Sequence, residues 1–205
     1  MGTPSRQRLV LNVCRFIVFL GVISGLMYGR IDHIYRSSLA FVGLLLPEFF
    51  QRRINPHGKL QLFLSPLYND KTMVVLSVFI AVHVSLVNVP FTTIDLFHKE
   101  WTDADVISHF LGGLAIWVIV AEVLNELSRI YTLSERQVIL YSFAVTLMLG
   151  MGWEIAERLV ESKIPFIQES LGNKIRDIVM DTLGGLLGVY MVKIKHFPFS
   201  IVKDN

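Results

Sequence analysis

The chain has little of three things that other protein classes need. Cys14 is the single cysteine in 205 residues, so no intramolecular disulfide can form and a disulfide-stapled scaffold is excluded. Charged residues make up 18%, against about 25% in a soluble globular domain, which leaves too little surface charge for an ordinary soluble enzyme. An excess of one sign is also missing. Lys and Arg number 19 against 17 Asp and Glu, a net charge of +2; with no basic stripe interleaved with aromatics, nucleic acid is excluded as a partner. No Gly-x-Ser-x-Gly elbow, His-Glu-x-x-His, Walker loop or Cys-x-x-Cys occurs. Ser108 lies next to His109 in sequence, so on a helix the two face different ways and serine nucleophile chemistry gains no support.

Apolar sequence is abundant. Hydrophobic residues reach 53% and the mean hydropathy is +0.54. A membrane-spanning helix needs about 20 mostly apolar residues, and six segments approach that: 9–29, 34–50, 73–89, 106–127, 138–153 and 178–192. The second is the weakest, because its uninterrupted apolar core is short and Pro47 and Glu48 follow it. Cys14 lies in the first run and reads as a small apolar filler. Arg15 in the same run is near enough to one end to snorkel. Arg6 and Arg8 before an apolar run mimic a signal peptide, but the run has the length of a full span and no small-x-small site follows, so it reads as a retained helix. No repeat or flexible linker divides the chain. The expectation is an all-α polytopic transmembrane bundle, one integral membrane domain over residues 1–205. Lys and Arg in the connections favour the side of the N-terminus by eleven to seven, which predicts a cytoplasmic N-terminus. The connection 154–176 carries an apolar patch around Pro165 and reads as an amphipathic segment lying at the interface.

The ionisable residues next to these runs are grouped. Intramembrane charge is expensive and usually functional. Asp105 and His109 are four apart at the start of the fourth span; Glu154, Glu157 and Glu161 share a face at the end of the fifth; Asp177 and Asp181 are four apart at the start of the sixth. Topology brings these three helix ends to one membrane side. Carboxylates crowded there repel unless a cation or shared protons neutralise them. A divalent metal ion held by His109, Glu154, Asp177 and Asp181 is the simplest solution, with Asp105 or Glu157 orienting His109 or acting as general base. His109, Glu157 and Asp105 are thus the candidate catalytic set. Plainer roles stay open: a cap or dipole charge for Asp105, pairing with Arg176 for Asp177, pairing with Arg158 or Lys163 for Glu157 and Glu161, a packing histidine for His109. Gly112, Gly113, Gly184, Gly185 and Gly188 flank the cluster, and small-x-x-x-small faces let membrane helices pack backbone to backbone. Elsewhere, His83 and Asn88 read as interhelical hydrogen-bonding groups, Asp32, His33 and His98 as loop groups on the cluster's side, and Glu122 and Glu126 as interfacial, the latter near Arg129.

Three stretches carry a family likeness: Asp105-Val-Ile-Ser-His109-Phe110-Leu-Gly-Gly, then Trp153-Glu154-Ile-Ala-Glu157, then Asp177-x-x-x-Asp181 with Gly188 beyond. Together they resemble the YjdF-like family of uncharacterised bacterial inner-membrane proteins. The run from Arg176 through Gly188 also resembles the end of VanZ-like proteins, a family associated with low-level teicoplanin resistance. The likeness covers about residues 100–190. Lys99-Glu100-Trp101-Thr102 and Asn173-Lys174-Ile175-Arg176 depart from the YjdF-like pattern. The resemblance implies a prokaryotic inner membrane and the polar cluster, and supplies no reaction. Three readings remain: a metal-dependent enzyme acting on a lipid or lipid-linked headgroup, a small cation or proton transporter component, and a non-catalytic membrane scaffold. Membrane lipids are the expected partners, and a homo-oligomer stays open.

Overall fold

The computed structural model describes residues 5–94, 103–161 and 170–201, and every regular element among them is a helix. The elements are α1 (Arg6–Met27), α2 (Ile31–Arg53), α3 (Lys59–Phe63), α4 (Ser65–Tyr68), α5 (Asp70–Val87), α6 (Asp103–Tyr131), α7 (Glu135–Glu161) and α8 (Leu171–Ile194). They form two compact units, Met1–Phe97 and His98–Asn205. The six expected spans correspond to α1, α2, α5, α6, α7 and α8. By length and composition alone, α1, α5, and the stretches Ala104–Tyr131 and Glu135–Leu159 can cross a membrane, so the count of six is approximate. The 23 residues of α2 and 24 of α8 would reach about 35 Å at 1.5 Å per residue, but both carry charge.

In the first unit α1 packs against α2 and α5. Ser5 caps α1, its hydroxyl accepting from Arg8 N at 3.3 Å. The turn to α2 uses Gly29 at φ +63°, a conformation glycine reaches without strain. Close approach of α1 and α2 is set by Gly25, where a Cβ would meet the backbone nitrogen of Ile34 at 2.8 Å. The core joins Cys14, Val18, Leu44 and Ala81, which bears out Cys14 as a filler.

α2 runs unbroken through Pro47, although a proline removes one helical hydrogen bond and crowds the carbonyl four residues back. Arg15 meets α2 at this point: its guanidinium donates to Leu44 O at 3.1 and 3.2 Å and to Glu48 Oε2 at 2.9 Å. Arg15 therefore does not extend alone toward the interface; it ties α1 to α2.

The second unit is built on α6, which packs against α8 and α7. The expectation from small residues holds. A Cβ on Gly113 would overlap the backbone of Asp181, and one on Gly184 would overlap Phe110 O. Helix backbones are in contact there, the arrangement by which membrane helices gain dispersion energy without a hydrophobic driving force. Trp117, fully buried, lies against Gly188 and, at 5.9 Å between ring centres, against Phe143. Ser142 and Thr146, buried in α7, donate to the carbonyls of Val138 and Ser142 at 2.7 and 2.8 Å, satisfying hydroxyls that apolar surroundings would otherwise penalise. Large apolar side chains on the outer faces, among them Leu149, Ile155 and Leu186, are exposed; lipid is the solvent that suits them.

Candidate metal centre

The polar cluster forms where α6 begins, α7 ends and α8 begins. His109 is at its centre. Its Nε2 lies 3.5 Å from Asp105 Oδ1 and 4.0 Å from Glu154 Oε1, and its Nδ1 lies 3.5 Å from Asp181 Oδ1. One imidazole thus faces carboxylates from all three helices. Asp105 reaches it because the two are one turn apart on α6; Asp181 reaches it because Gly113, one turn beyond His109, lets α8 touch the α6 backbone. Glu154, Asp177 and Asp181 are buried at 5%, 1% and 7% exposure.

Asp105, His109 and Asp177 each offer one donor atom within 4.8 Å of the others, a set that could hold a metal ion. Oxygen donors with one imidazole nitrogen suit several divalent cations. Asp181 and Glu154 contact the same imidazole without belonging to that set. Glu157, one turn past Glu154, is half-buried and 3.8 Å from Lys174 Nζ.

Two cations and an amide complete the cluster. Lys174 Nζ lies 3.6 Å from Glu154 Oε2. Arg176 reaches Asp105 and lies 3.0 Å from Asp177 Oδ1. Asn173, fully buried, donates to Asp177 Oδ2 at 2.9 Å and to Asp105 Oδ2 at 3.5 Å. The pairing of Asp177 with Arg176 agrees with the sequence; the inward placement of Lys174 and Asn173 corrects it. Hydropathy alone starts the last helix near Asp177 and puts these residues in an interfacial connection. The helix instead begins at Leu171, capped by Ser170, whose hydroxyl accepts from Asn173 N at 3.2 Å. The signal was present. Lys174, Asp177 and Asp181 are spaced i, i+3, i+7, one face of a helix carried a turn and a half backwards.

The remaining expected groups divide. Glu126 pairs with Arg129 at 3.0 Å, as its spacing predicts. Glu122, expected at the interface, is buried at 6% exposure inside α6. Asn88 caps α5 and accepts from Arg36 at 3.2 Å. His83 stacks near Phe79 at 5.7 Å. His33 is fully buried rather than a loop group, beside Asp32 in the first turn of α2. Arg30 beside Asp32, at 2.6 Å, holds that carboxyl below the usual carboxylate range. His98, the patch around Pro165 and the side chain of Glu161 lie outside the described residues.

Residues 60–196, about two thirds of the chain, match the family described as "Predicted membrane protein (DUF2238)". The match spans all three helices of the cluster. No curated protein and no solved structure matches the chain.

Proposed function

The chain belongs to the DUF2238 family of predicted membrane proteins, the YjdF family, and from that premise we propose that it is a metal-dependent hydrolase of a phosphorylated lipid or lipid-linked headgroup. The observation that carries the reading is the imidazole of His109 set among carboxylates of three helices, with Asp105, His109 and Asp177 converging within 4.8 Å. Two of these donors lie on α6 and one on α8, so the packed backbones at Gly113 and Gly184 fix their separation.

The division of labour follows from the contacts. Asp105, His109 and Asp177 would hold the ion, with Asp181 and Glu154 as further anionic neighbours. A divalent ion held there would lower the pKa of a water beside it and polarise a phosphoryl oxygen. Glu157 would take a proton from water as the water oxygen bonds to phosphorus; the bond from phosphorus to the ester oxygen breaks, and that proton passes to the departing oxygen, which leaves as an alcohol. Lys174 and Arg176 offset the charge that builds on the remaining phosphoryl oxygens.

Lys174, 3.6 Å from Glu154, and Arg176 beside Asp177 also give the cluster positive groups that would attract an anionic substrate. The ion pairs of Lys174 and Arg176 favour one second reading, a non-catalytic lock between helices, which predicts indifference to metal. An inner-membrane location with a cytoplasmic N-terminus belongs to the same proposal, supported by the excess of Lys and Arg on that side. The test is release of phosphate or headgroup from lipid phosphoesters in mixed micelles with Mn²⁺ or Zn²⁺. Turnover by the wild type and its loss in folded Glu157→Gln is the expected result. Metal-bound protein that turns over no phosphoester refutes hydrolysis.

A further inference from the structure

The first unit holds a cavity of about 450 Å³ that contains none of the cluster's residues. It lies between the start of α1, the end of α2 and the start of α5. α1 and α5 are apolar enough to cross a membrane and both begin there, so the cavity lies where hydrocarbon gives way to headgroups. Its volume is within the range of ligand sites, roughly 300–1,000 Å³.

The lining is charged and nearly balanced. Arg8, Arg15 and Arg52 face Glu48 and Asp70. Arg15 is held firmly by Glu48 and Leu44 O, with its side chain 15% exposed. Arg8 and Arg52 are more exposed, at 65% and 72%: Arg8 lies a long 3.7 Å from Asp70, while Arg52 is paired with Glu48 one turn back on α2, a carboxylate it shares with Arg15. Three guanidinium groups against two carboxylates leave one positive charge, which a phosphodiester monoanion cancels. Guanidinium matches phosphate oxygens in a fork geometry. The carboxylates, with the amides of Asn12 and Gln51 also in the lining, suit hydroxyl groups rather than a second phosphate.

A lipid fits better than a free phosphate ester. A second hollow, of about 370 Å³, is lined by Glu48, Arg52 and Arg53 with Leu45 and Phe49, so apolar surface adjoins the charged rim. On α1, Leu9, Val13 and Phe16 are exposed beside the cavity at i, i+4, i+7 spacing. These α1 side chains, with Leu45 and Phe49, are apolar surface for acyl chains.

We propose that this cavity binds the headgroup of an anionic phosphodiester lipid bearing hydroxyls, of the phosphatidylglycerol type, with its phosphate on Arg8, Arg15 and Arg52. The test is calorimetric titration of the full chain in an uncharged detergent with short-chain phosphatidylglycerol, short-chain phosphatidylcholine and glycerophosphoglycerol. Phosphatidylglycerol is expected to bind at least about tenfold more tightly than either of the others. Arg8→Gln and Arg52→Gln, exposed enough to leave the fold intact, should each weaken it by about tenfold. Arg129→Gln, an exposed arginine of the second unit, should not. Equal binding of phosphatidylcholine, or unchanged binding by both cavity variants, overturns the proposal. Glycerophosphoglycerol binding as tightly as the lipid overturns the lipid assignment and gives the cavity to soluble phosphodiesters.

Discussion

Arg176 is the residue whose removal most sharply separates a metal site from a lock of ion pairs. Its side chain is 14% exposed, and its guanidinium bridges Asp105 on α6 and Asp177 on α8. Asp177 is 1% exposed. Removing one member of a buried ion pair costs roughly 3–5 kcal/mol, because the other charge is left uncompensated. Asn173 still donates to Asp177 at 2.9 Å, so Arg176→Gln should fall at the lower end, about 3 kcal/mol. For a chain of this size each kcal/mol moves Tm by roughly 2–4 °C, which gives a drop of about 6–12 °C in chelator. The same substitution removes the cation that competes for Asp105 and Asp177. Mn²⁺ or Zn²⁺ should therefore restore more stability to the variant than to the wild type, about 2.7 kcal/mol at a hundred times Kd. Thermal unfolding in detergent, followed by tryptophan fluorescence with and without chelator, measures both. An unchanged Tm in chelator refutes the burial argument. A full drop with no rescue by either metal refutes the metal site and leaves the lock.

Three further outcomes follow from other contacts. Gly113→Val should separate α6 from α8 and lower stability by about 3 kcal/mol or more, since overpacking costs roughly 1–3 kcal/mol even where side chains can yield, and here the neighbour is the Asp181 backbone; Gly43→Ala, with open space at its Cβ, should be neutral or slightly stabilising, and a detergent-melt comparison decides it. Asn173→Ala should cost roughly 1–3 kcal/mol, the penalty of leaving a buried partner short of a hydrogen bond, and chemical unfolding should report it. Asp32 has its carboxyl pKa depressed by Arg30, so the pair stabilises the fold above the unfolded value near 4 and loses that contribution as pH falls below it; the stability gap between wild type and Asp32→Asn should be flat from neutral pH down to about 5 and shrink in stronger acid.

The helices and the cluster were legible in the sequence because both follow from periodicity. Apolar runs placed all six long helices, and the four-residue spacing of Asp105 with His109 and of Asp177 with Asp181 put each pair on one face. The start of α8 is carried by the same periodicity, in Lys174, Asp177 and Asp181, but is lost to a count of apolar residues alone. Lys174 and Arg176 look like the end of an apolar run only when counted along the chain; in three dimensions Glu154, Glu157, Asp105 and Asp177 neutralise them. A charge inside a membrane protein is costly alone and tolerable when paired, and pairing across helices is invisible to a hydropathy count. Pro47 does not end the helix, since α2 continues past it with Arg15 of α1 bonded to Leu44 O, yet the segment remains the weak span its sequence suggests, as α2 is not among the helices apolar enough to cross a membrane. Glu122 is 6% exposed because of the face of α6 it occupies, which its distance along the helix does not reveal.

Binding of a divalent cation by the Asp105, His109 and Asp177 donors is what the proposed hydrolase requires. Metal content of the detergent-purified chain, measured by elemental mass spectrometry after equilibration with Mn²⁺ or Zn²⁺ and removal of free ion, tests it directly. The wild type should retain about one ion per chain, with His109→Ala and Asp177→Asn folded but depleted. A stable, folded wild type that retains no more metal than these variants contradicts the metal centre.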